Sequence, residues 1–321
     1  MPPIIVIAGP TGSGKSALAL RLAEEFAGEV IHCDSMQLYR GFDIGTAKVP
    51  REQRRGIPHH LIDVIDLFDK KAVRGGVYSA GDYARDARRV IEEVSARGHL
   101  PIVAGGTGFY LRALLRGLPE LPPRDESLRP RLASRENSRP GALHRILSRL
   151  DPAAAKRIHP HDRPKLIRAL EIRLLTSHPA PPSDTADRLS GFRTLLLGLD
   201  PDRAALYKFL DARAHEMFRS GLIEEVKHLI QSGANGDEKP FESLGYKQAL
   251  AYLRGSLSLE EAVALTALET RRYAKRQWTW FRREKGIVWL RGFGGDPEVI
   301  DEAIRMVAEF TAGAAPRANV G

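Results

Sequence analysis

The chain reads Gly9-Pro10-Thr11-Gly12-Ser13-Gly14-Lys15-Ser16 between the apolar run 4–8 and the amphipathic stretch 17–23. This order predicts a strand, a phosphate-binding loop and a helix. In such a loop, small residues let backbone N–H groups turn toward a polyphosphate, Lys15 reaches the terminal oxygens and the Ser16 hydroxyl is placed to hold Mg²⁺. The positive end of the helix dipole adds to the attraction. The sequence therefore predicts that the protein binds a di- or triphosphate together with Mg²⁺.

The composition is that of a globular protein. The 321 residues are 43% hydrophobic and 28% charged, enough for a full core and for two domains. No run approaches the ~18 consecutive apolar residues of a membrane span. The first predicted strand begins almost at the N-terminus, so we expect a cytoplasmic protein with no targeting peptide and no membrane association. The single cysteine, Cys33, excludes an internal disulfide and a zinc site built on paired cysteines.

The positive charge is concentrated in two segments. Residues 124–175 hold 13 Lys or Arg against 6 Asp or Glu, and residues 270–291 hold 8 against 1, whereas the whole chain carries +9. The rest of the chain is therefore acidic. Two basic segments would attract a phosphate-rich macromolecule such as RNA, which a small-molecule kinase does not need. Solvated helix faces are the alternative interpretation.

Apolar runs alternate with helical patterns along the first third of the chain. This alternation predicts an α/β fold, a P-loop NTPase-like parallel sheet with crossover helices. The predicted strands are Ile4–Gly9, Val30–Asp34, His60–Ile65, Ile102–Gly105 and Thr194–Leu199. The predicted helices are Ser79–Arg97, Phe109–Arg116, Asp202–Ser220, Ile223–Gln231 and Leu259–Arg283. Because parallel strands end at one crevice, Asp34 and the run Gly105-Gly106-Thr107-Gly108 should face the phosphate loop.

A basic, helical stretch with several prolines interrupts this pattern. We therefore predict that residues 118–189 form an inserted helical subdomain. Residues 1–117 and 190–321 would then form the catalytic core, which includes the basic C-terminal helices.

The predicted helix Leu259–Arg283 separates basic from aromatic residues. At about 100° per residue, six cations fall within about 140° of the helix surface. They are Arg271, Arg272, Lys275, Arg276, Arg282 and Arg283. The remaining arc carries Tyr273, Gln277, Trp278, Trp280 and Phe281. We expect the aromatic side chains in the core and the cations on the phosphates of a nucleic acid, which they would position without reading its sequence.

Two further residues are candidates for chemistry. Asp34 could be a Mg²⁺ ligand, a general base or a fixed hydrogen-bond acceptor for a nucleophile, and a turn or cap role is its structural alternative. Thr107 could donate to a phosphate or cap the helix that follows it. From these parts alone, a kinase and a transferase acting on RNA both remain open.

A series of motifs, in order and spacing, resembles the tRNA dimethylallyltransferase family over residues 3–290. The motifs are Asp34-Ser35-Met36-Gln37-Leu38-Tyr39, Asp43-Ile44-Gly45-Thr46-Ala47-Lys48, Pro58-His59-His60-Leu61, the run 105–111, Arg168-Ala169-Leu170-Glu171, Gly245-Tyr246-Lys247-Gln248 and the run 270–282. The resemblance implies transfer of a dimethylallyl group from dimethylallyl diphosphate to N6 of the adenine next to the anticodon, at tRNA position 37. The target base must then leave its stack, which is most accessible in a single-stranded loop.

The resemblance also implies roles for individual residues. The loop from Gly9 to Ser16 would hold diphosphate, with Mg²⁺ on Ser16, and Asp34 would accept the N6 proton. The other residues implied in catalysis are Lys15, Thr11, Thr107 and Arg213. The anticodon stem-loop would be contacted by Asp34, Ser35, Met36, Gln37, Thr107, Arg129, Asp162, Arg163, Pro164, Lys165, Leu166, Arg271, Arg272, Lys275, Arg276 and Arg282.

The chain departs from the family pattern at two single positions and in the loop 70–77, which is longer than usual. Phe209 stands where bacterial members usually carry an arginine, four residues before Arg213, and Gly12 stands where many members have alanine. The alternatives are an isopentenyltransferase of free adenine nucleotides, a P-loop small-molecule kinase and a non-catalytic RNA-binding switch. Because one chain carries both the donor loop and the basic helix, we expect a monomer.

Overall fold

The computed structural model describes residues 1–69, 78–119, 121–176 and 188–313. The chain divides into two compact units, each described by itself. Unit 1 comprises Met1–Leu115 and Leu189–Gly321, and unit 2 comprises Arg116–Arg188. No helix among the described residues is long and apolar enough to cross a membrane.

Unit 1 is built on a six-stranded, wholly parallel sheet, which confirms the predicted α/β class. The strands are β1 (Pro3–Ala8), β2 (Gly28–His32), β3 (His59–His60), β4 (Leu100–Ala104), β5 (Arg193–Leu199) and β6 (Ile287–Leu290). Their order is β3-β2-β4-β1-β5-β6. The register pairs Ile5 with Ile102 on one side of β1 and with Leu195 on the other. All five apolar residues of the run 4–8 are buried, as expected of a central strand covered on both faces.

Eight helices of unit 1 are described. They are α1 (Lys15–Glu25), α2 (Ala80–Ala96), α3 (Gly108–Arg116), α8 (Arg203–Arg219), α9 (Leu222–Gln231), α10 (Tyr246–Leu253), α11 (Leu259–Phe281) and α12 (Pro297–Thr311). Local sequence sets several helix starts. Ser79 and Asp82 form a reciprocal capping box at α2, and Ser258 and Glu261 do the same at α11.

Unit 2 is a separate helical bundle. It contains α4 (Leu128–Ser138), α5 (Ala142–Leu150), α6 (Pro152–Arg157) and α7 (Arg163–Thr176). These helices enclose a small apolar core that includes Leu132, Leu143, Leu147, Leu166 and Leu170. Beside this core, the buried Glu171 carboxylate accepts hydrogen bonds from Arg129 and Arg168. These bonds hold the pKa of Glu171 at about 2 although burial acts to raise it.

The predicted strand His60–Ile65 is wrong beyond its first residue. Only His59 and His60 pair with β2, because the chain then turns through Leu61 and Asp63, whose φ angles are 55° and 56°. Ile65 makes an isolated bridge to Tyr39. Three elements were missed by the sequence patterns: β6, α10 and α12. Helix α11 ends at Phe281, so Arg283 lies beyond it.

Candidate active site

The phosphate loop begins where β1 ends and closes on the N-terminus of α1. Gly9 has φ 147° and Gly14 has φ 87°, which are conformations that favour glycine. Lys15 folds back over the loop, and its Nζ donates to the Pro10 carbonyl at 2.7 Å. Burial lowers the pKa of Lys15 to about 8, with Asp34 acting in the opposite direction. The Lys15 ammonium is therefore held against the backbone of its own loop.

A cavity of about 430 Å³ opens in front of this loop. Thr11, Lys15, Ser16, Asp34 and Arg213 are among the residues that line it. Among the described residues, Nε of Arg213 has no hydrogen-bond partner although it is buried. Burial lowers the pKa of this arginine and the nearby Asp34 raises it. A buried guanidinium N–H with no partner has the chemistry to bind an anion in the cavity.

Asp34 follows β2 and lines a second cavity as well as the one in front of the phosphate loop. One carboxylate oxygen, Oδ1, accepts from the Met36 backbone N–H at 2.9 Å, which fixes the turn that follows. The second cavity, of about 380 Å³, is also lined by Asp34, Thr11 and Arg213. The two cavities share four lining residues, Thr11, Asp34, Thr46 and Arg213, so Asp34 borders both of them.

Thr107 ties the loop after β4 to the loop after β2. Its hydroxyl accepts from the Ser35 N–H at 3.1 Å, and its carbonyl accepts from the N–H groups of Tyr110 and Leu111. The Thr107 carbonyl thus accepts the first hydrogen bonds of α3, whereas its hydroxyl accepts one from the loop after β2. A hydroxyl in this position still has its own proton to donate.

Gln277 is a site residue that sequence reasoning missed. Its Oε1 accepts from the Thr11 N–H at 2.7 Å, and its Nε2 donates to the Gly106 carbonyl at 2.8 Å. One buried amide on α11 thus joins the phosphate loop to the loop after β4. The sequence signal that could have identified Gln277 is a single amide side chain among the aromatic residues on the buried face of α11. Close packing of α11 also explains Gly108, where a Cβ would lie 2.2 Å from Nε1 of Trp280.

Lys48 is a second missed residue. Its ammonium is buried and donates to the Tyr39 carbonyl, to Asp43 at 2.8 Å and to Asp63 at 2.6 Å. These bonds hold the loop 43–48, whose Thr46 lines both cavities. The loop is also fixed from α10, because the Tyr246 hydroxyl accepts from the Gly45 N–H at 3.1 Å.

The two single-position departures from the family pattern are neighbours in the fold, whereas the loop 70–77 lies outside the described residues. A Cβ at Gly12, where φ is 79°, would lie 2.6 Å from Leu210 and 3.3 Å from the Phe209 ring. Phe209 is half exposed, lines the phosphate-loop cavity and has its ring centroid 6.1 Å from that of Phe293. An apolar pair therefore stands where the resemblance leads one to expect a cation.

The predicted RNA-binding residues are divided between the two units. On α11, Arg272, Lys275 and Arg276 are exposed, whereas Arg271 is partly buried and pairs with Asp211. Arg282, just after the helix, is exposed and lies 3.4 Å from the Asp200 carboxylate. Trp278, Phe281 and Gln277 are buried, as the helical spacing predicts. In unit 2, Arg163, Pro164 and Lys165 are exposed and Asp162 is partly exposed at the start of α7.

Two residues of unit 2 that are predicted to contact RNA are already engaged within that unit. Leu166 is fully buried in the core of that unit, so only its backbone could meet RNA. The Arg129 guanidinium makes two bonds to Glu171, at 2.8 and 3.0 Å. The pairing keeps Arg129 in place and offsets part of its charge.

Few protein side chains in the phosphate-loop cavity could coordinate a magnesium ion. No group of three or more His, Cys, Asp or Glu side chains is placed to hold a metal within the described part of the chain. The Ser16 hydroxyl and the Asp34 carboxylate both line the phosphate-loop cavity. Oxygen donors of this kind fit Mg²⁺, which usually keeps several waters and binds through substrate phosphates.

Comparison with known proteins gives a consistent result. The family model described as IPP transferase matches residues 37–284. The tRNA dimethylallyltransferase of Solibacter usitatus is 56% identical over 310 residues, covering 96% of this chain and 99% of the relative. The enzyme of the same name from Koribacter versatilis is 50% identical, covering 95% of this chain and 98% of the relative.

Two solved structures are similar over almost the whole chain. The full-length tRNA isopentenylpyrophosphate transferase of Bacillus halodurans has a TM-score of 0.70 and 37% identity, and the match covers 97% of each chain. A eukaryotic dimethylallyltransferase acting on tRNA has a TM-score of 0.81 and 30% identity, with 99% of this chain and 82% of the other covered.

Proposed function

The chain belongs to the IPP transferase family, and from that premise we propose that it transfers a dimethylallyl group from dimethylallyl diphosphate to N6 of the adenine adjacent to the anticodon of tRNA. The observation that carries the proposal is the position of Asp34. Asp34 lines both the phosphate-loop cavity and the second cavity. Donor and acceptor can therefore approach each other beside one proton acceptor.

The donor diphosphate would occupy the phosphate loop. Backbone N–H groups at the start of α1, the Lys15 ammonium and the Arg213 guanidinium would bind its oxygens. As the bond from the allylic carbon C1 to oxygen breaks, the electron pair leaves with the diphosphate. These groups therefore stabilise the transition state more than the ground state. Ser16 would hold Mg²⁺, which would add Lewis-acid stabilisation of the leaving oxygens.

The acceptor adenine amine would attack C1 near Asp34. The amine is a weak nucleophile because its lone pair is delocalised into the ring. As the N6–C1 bond forms, one N6 proton passes to the Asp34 carboxylate. Thr11 and Thr107 would lie close to the reacting groups, because Thr11 lines both cavities together with Asp34 and the Thr107 hydroxyl accepts from the N–H of Ser35, the residue after Asp34.

RNA would be held by positive charge on both units. The exposed cations of α11 and the start of α7 would contact phosphates, which positions the stem-loop. The adenine then has to be flipped from its stack into the cavity beside Asp34. We also expect the protein to act as a monomer in the cytoplasm. Light scattering tests the monomer, and a dimer mass at all protein concentrations would contradict it.

The experiment that tests this proposal is transfer of radiolabelled dimethylallyl from its diphosphate, with Mg²⁺, to unmodified tRNA and in parallel to free AMP. We expect label in tRNA and none after Asp34→Asn, which keeps the shape of the side chain and removes the base. The variant should still bind tRNA with near wild-type affinity. Label only in AMP would point to a free-nucleotide enzyme, and label in neither would refute the transferase.

A further inference from the structure

Three side chains form a hydrogen-bonded chain that ends at the wall of the phosphate-loop cavity. Gln37 Nε2 donates to the Thr46 carbonyl at 3.0 Å, and Gln37 Oε1 lies 2.8 Å from Nδ1 of His32. Nε2 of His32 lies 2.7 Å from Nδ1 of His59. We call Gln37, His32 and His59 the amide–imidazole chain. Gln37 and His32 line the cavity that also holds Lys15 and Asp34.

The proton positions in this chain follow from its first bond. A carbonyl oxygen only accepts, so the Gln37 amide must direct Nε2 toward Thr46 and Oε1 toward His32. Nδ1 of His32 must therefore carry a hydrogen. In a neutral ring Nε2 is then an acceptor, so Nδ1 of His59 must also carry a hydrogen. The chain thus has one direction, from His59 through His32 to Gln37.

Both rings are held in the neutral form that this order requires. Burial is the main cause, and it lowers the pKa of His32 to about 4 and that of His59 to about 3. Nearby Arg54 and His60 act in the same direction on both rings, and Lys48 does so on His32. Among the described residues, Nε2 of His59 is buried with no hydrogen-bond partner, as expected of the unprotonated end of such a chain.

The strand register explains why only one of two adjacent histidines takes part. His59 and His60 are the two residues of β3, paired with Val30 and Ile31 of β2. Successive side chains of a strand point to opposite faces. His59 contacts His32, whereas Nε2 of His60 contacts Glu29 at 2.5 Å, together with His99 on the same carboxylate at 2.6 Å. The pair therefore serves two separate networks.

We propose that His59 and His32 are positioning residues that lock the side-chain amide of Gln37 in one orientation and so hold the loop 34–37 in its reactive place. Gln37 is three residues from Asp34, and its backbone carbonyl accepts from the Asp63 N–H at 3.1 Å. The lock therefore acts on the same short loop that carries the proton acceptor. This inference rests on the proposed function, which assigns that role to Asp34.

The first test reads the tautomers directly. In protein labelled with ¹⁵N-histidine, long-range ¹H–¹⁵N spectra at pH 6 to 8 should show two rings protonated on Nδ1 alone, and their signals should be assigned by loss in single variants. This readout does not depend on activity, so it stands even if tRNA is not the acceptor. A proton on Nε2 of either ring, or two charged rings, would overturn the proposal.

The second test separates positioning from folding. His59→Leu removes the donor to His32, whereas His59→Asn supplies a side-chain N–H near the position of Nδ1. We expect His59→Leu to lower kcat/KM for tRNA about tenfold, since a small displacement of a reacting group is costly. His59→Asn should recover most of that loss. Affinity for inorganic diphosphate should stay unchanged in both variants.

The matched control is His99→Leu, the same substitution at a histidine 46% exposed and bonded to Glu29 instead. It should keep wild-type kcat/KM. Equal activity of His59→Leu and His99→Leu would overturn the proposal. So would a His59→Asn variant that is folded by circular dichroism but as impaired as His59→Leu.

Discussion

At the scale of single residues, Lys15 combines two properties that oppose each other. It must be charged to bind diphosphate, yet burial lowers its pKa to about 8. Protonation holds below that pH and is lost above it. We therefore expect kcat/KM for dimethylallyl diphosphate to fall as pH rises through about 8, because this ratio reports the ionisation of the free enzyme.

The measurement is a pH–rate profile from pH 6 to 10 at subsaturating donor. The profile should be accompanied by a melting curve at each pH, so that loss of activity is not confused with unfolding. A profile that stays flat to pH 10 would show that Lys15 remains charged in the free enzyme.

Gly12 supplies a second prediction at this scale. Alanine there would place its Cβ 2.6 Å from Leu210 at a φ of 79°. Gly56 has a similar φ of 75° with nothing within 4 Å, so Gly56→Ala has the backbone strain without the clash. We expect Gly12→Ala to lose about 1–3 kcal/mol more in the free energy of unfolding than Gly56→Ala.

Urea unfolding of both variants checks this difference. Gly12→Ala should also weaken diphosphate binding, since the Leu210 side chain of α8 or the phosphate loop must shift to admit the methyl group. Equal losses of stability would show that α8 yields at no cost.

The site residues that the sequence could predict are those with local signals. Lys15 and Ser16 belong to a contiguous motif after a strand, and Asp34 follows a strand that ends at the same crevice. Lys48 and Gln277 act through partners that no local pattern joins to them, such as the Thr11 N–H, 266 positions from Gln277. Only the folded chain brings those atoms together.

At the scale of elements, α11 is the helix that joins the two loops of the site. Its buried Gln277 satisfies the Thr11 N–H and the Gly106 carbonyl. Gln277→Leu would leave both backbone groups unpaired, at about 1–3 kcal/mol each. We expect a loss of about 2–5 kcal/mol in the free energy of unfolding and weaker binding of inorganic diphosphate.

The control for this prediction is Gln231→Leu, the same change at the exposed last residue of α9. Chemical denaturation and calorimetric titration with diphosphate would measure both effects. If the two variants have the same stability and affinity, the amide of Gln277 does not hold the loops.

Helices and strands were predicted most accurately where their hydrophobic residues recur with a clear period. Strand β1 and helix α2 have clear patterns and lie within one or two residues of their predicted bounds. Strand β3 was overextended because the mostly apolar residues 61–65 continue past the two histidines while the backbone turns. Strand β6 is only four residues long and follows a run of basic residues, which masked its apolar pattern.

At the scale of the whole molecule, the distribution of charge separates two tasks. The partly buried cations Lys15 and Arg213 lie at the donor site, where the charge of Asp34 acts on both. Exposed cations lie on α11 and in unit 2. The first set would act on a small diphosphate at close range, and the second would attract a polyanion from a distance. The two sets should therefore respond differently to salt.

Neutralising exposed cations of α11 tests this separation. Each phosphate contact contributes roughly 0.7 to 0.9 to the slope of log affinity against log salt, so an Arg272→Gln/Lys275→Gln variant should bind tRNA more weakly with a slope shallower by roughly 1.5. Its affinity for inorganic diphosphate should not change. Arg85→Gln/Arg89→Gln removes two exposed cations from α2, with side chains 71% and 67% exposed, and should leave both slope and affinity as in the wild type. Filter binding of tRNA at four salt concentrations measures both slopes. Equal slopes in the two variants would mean that α11 attracts RNA no more than any other basic surface.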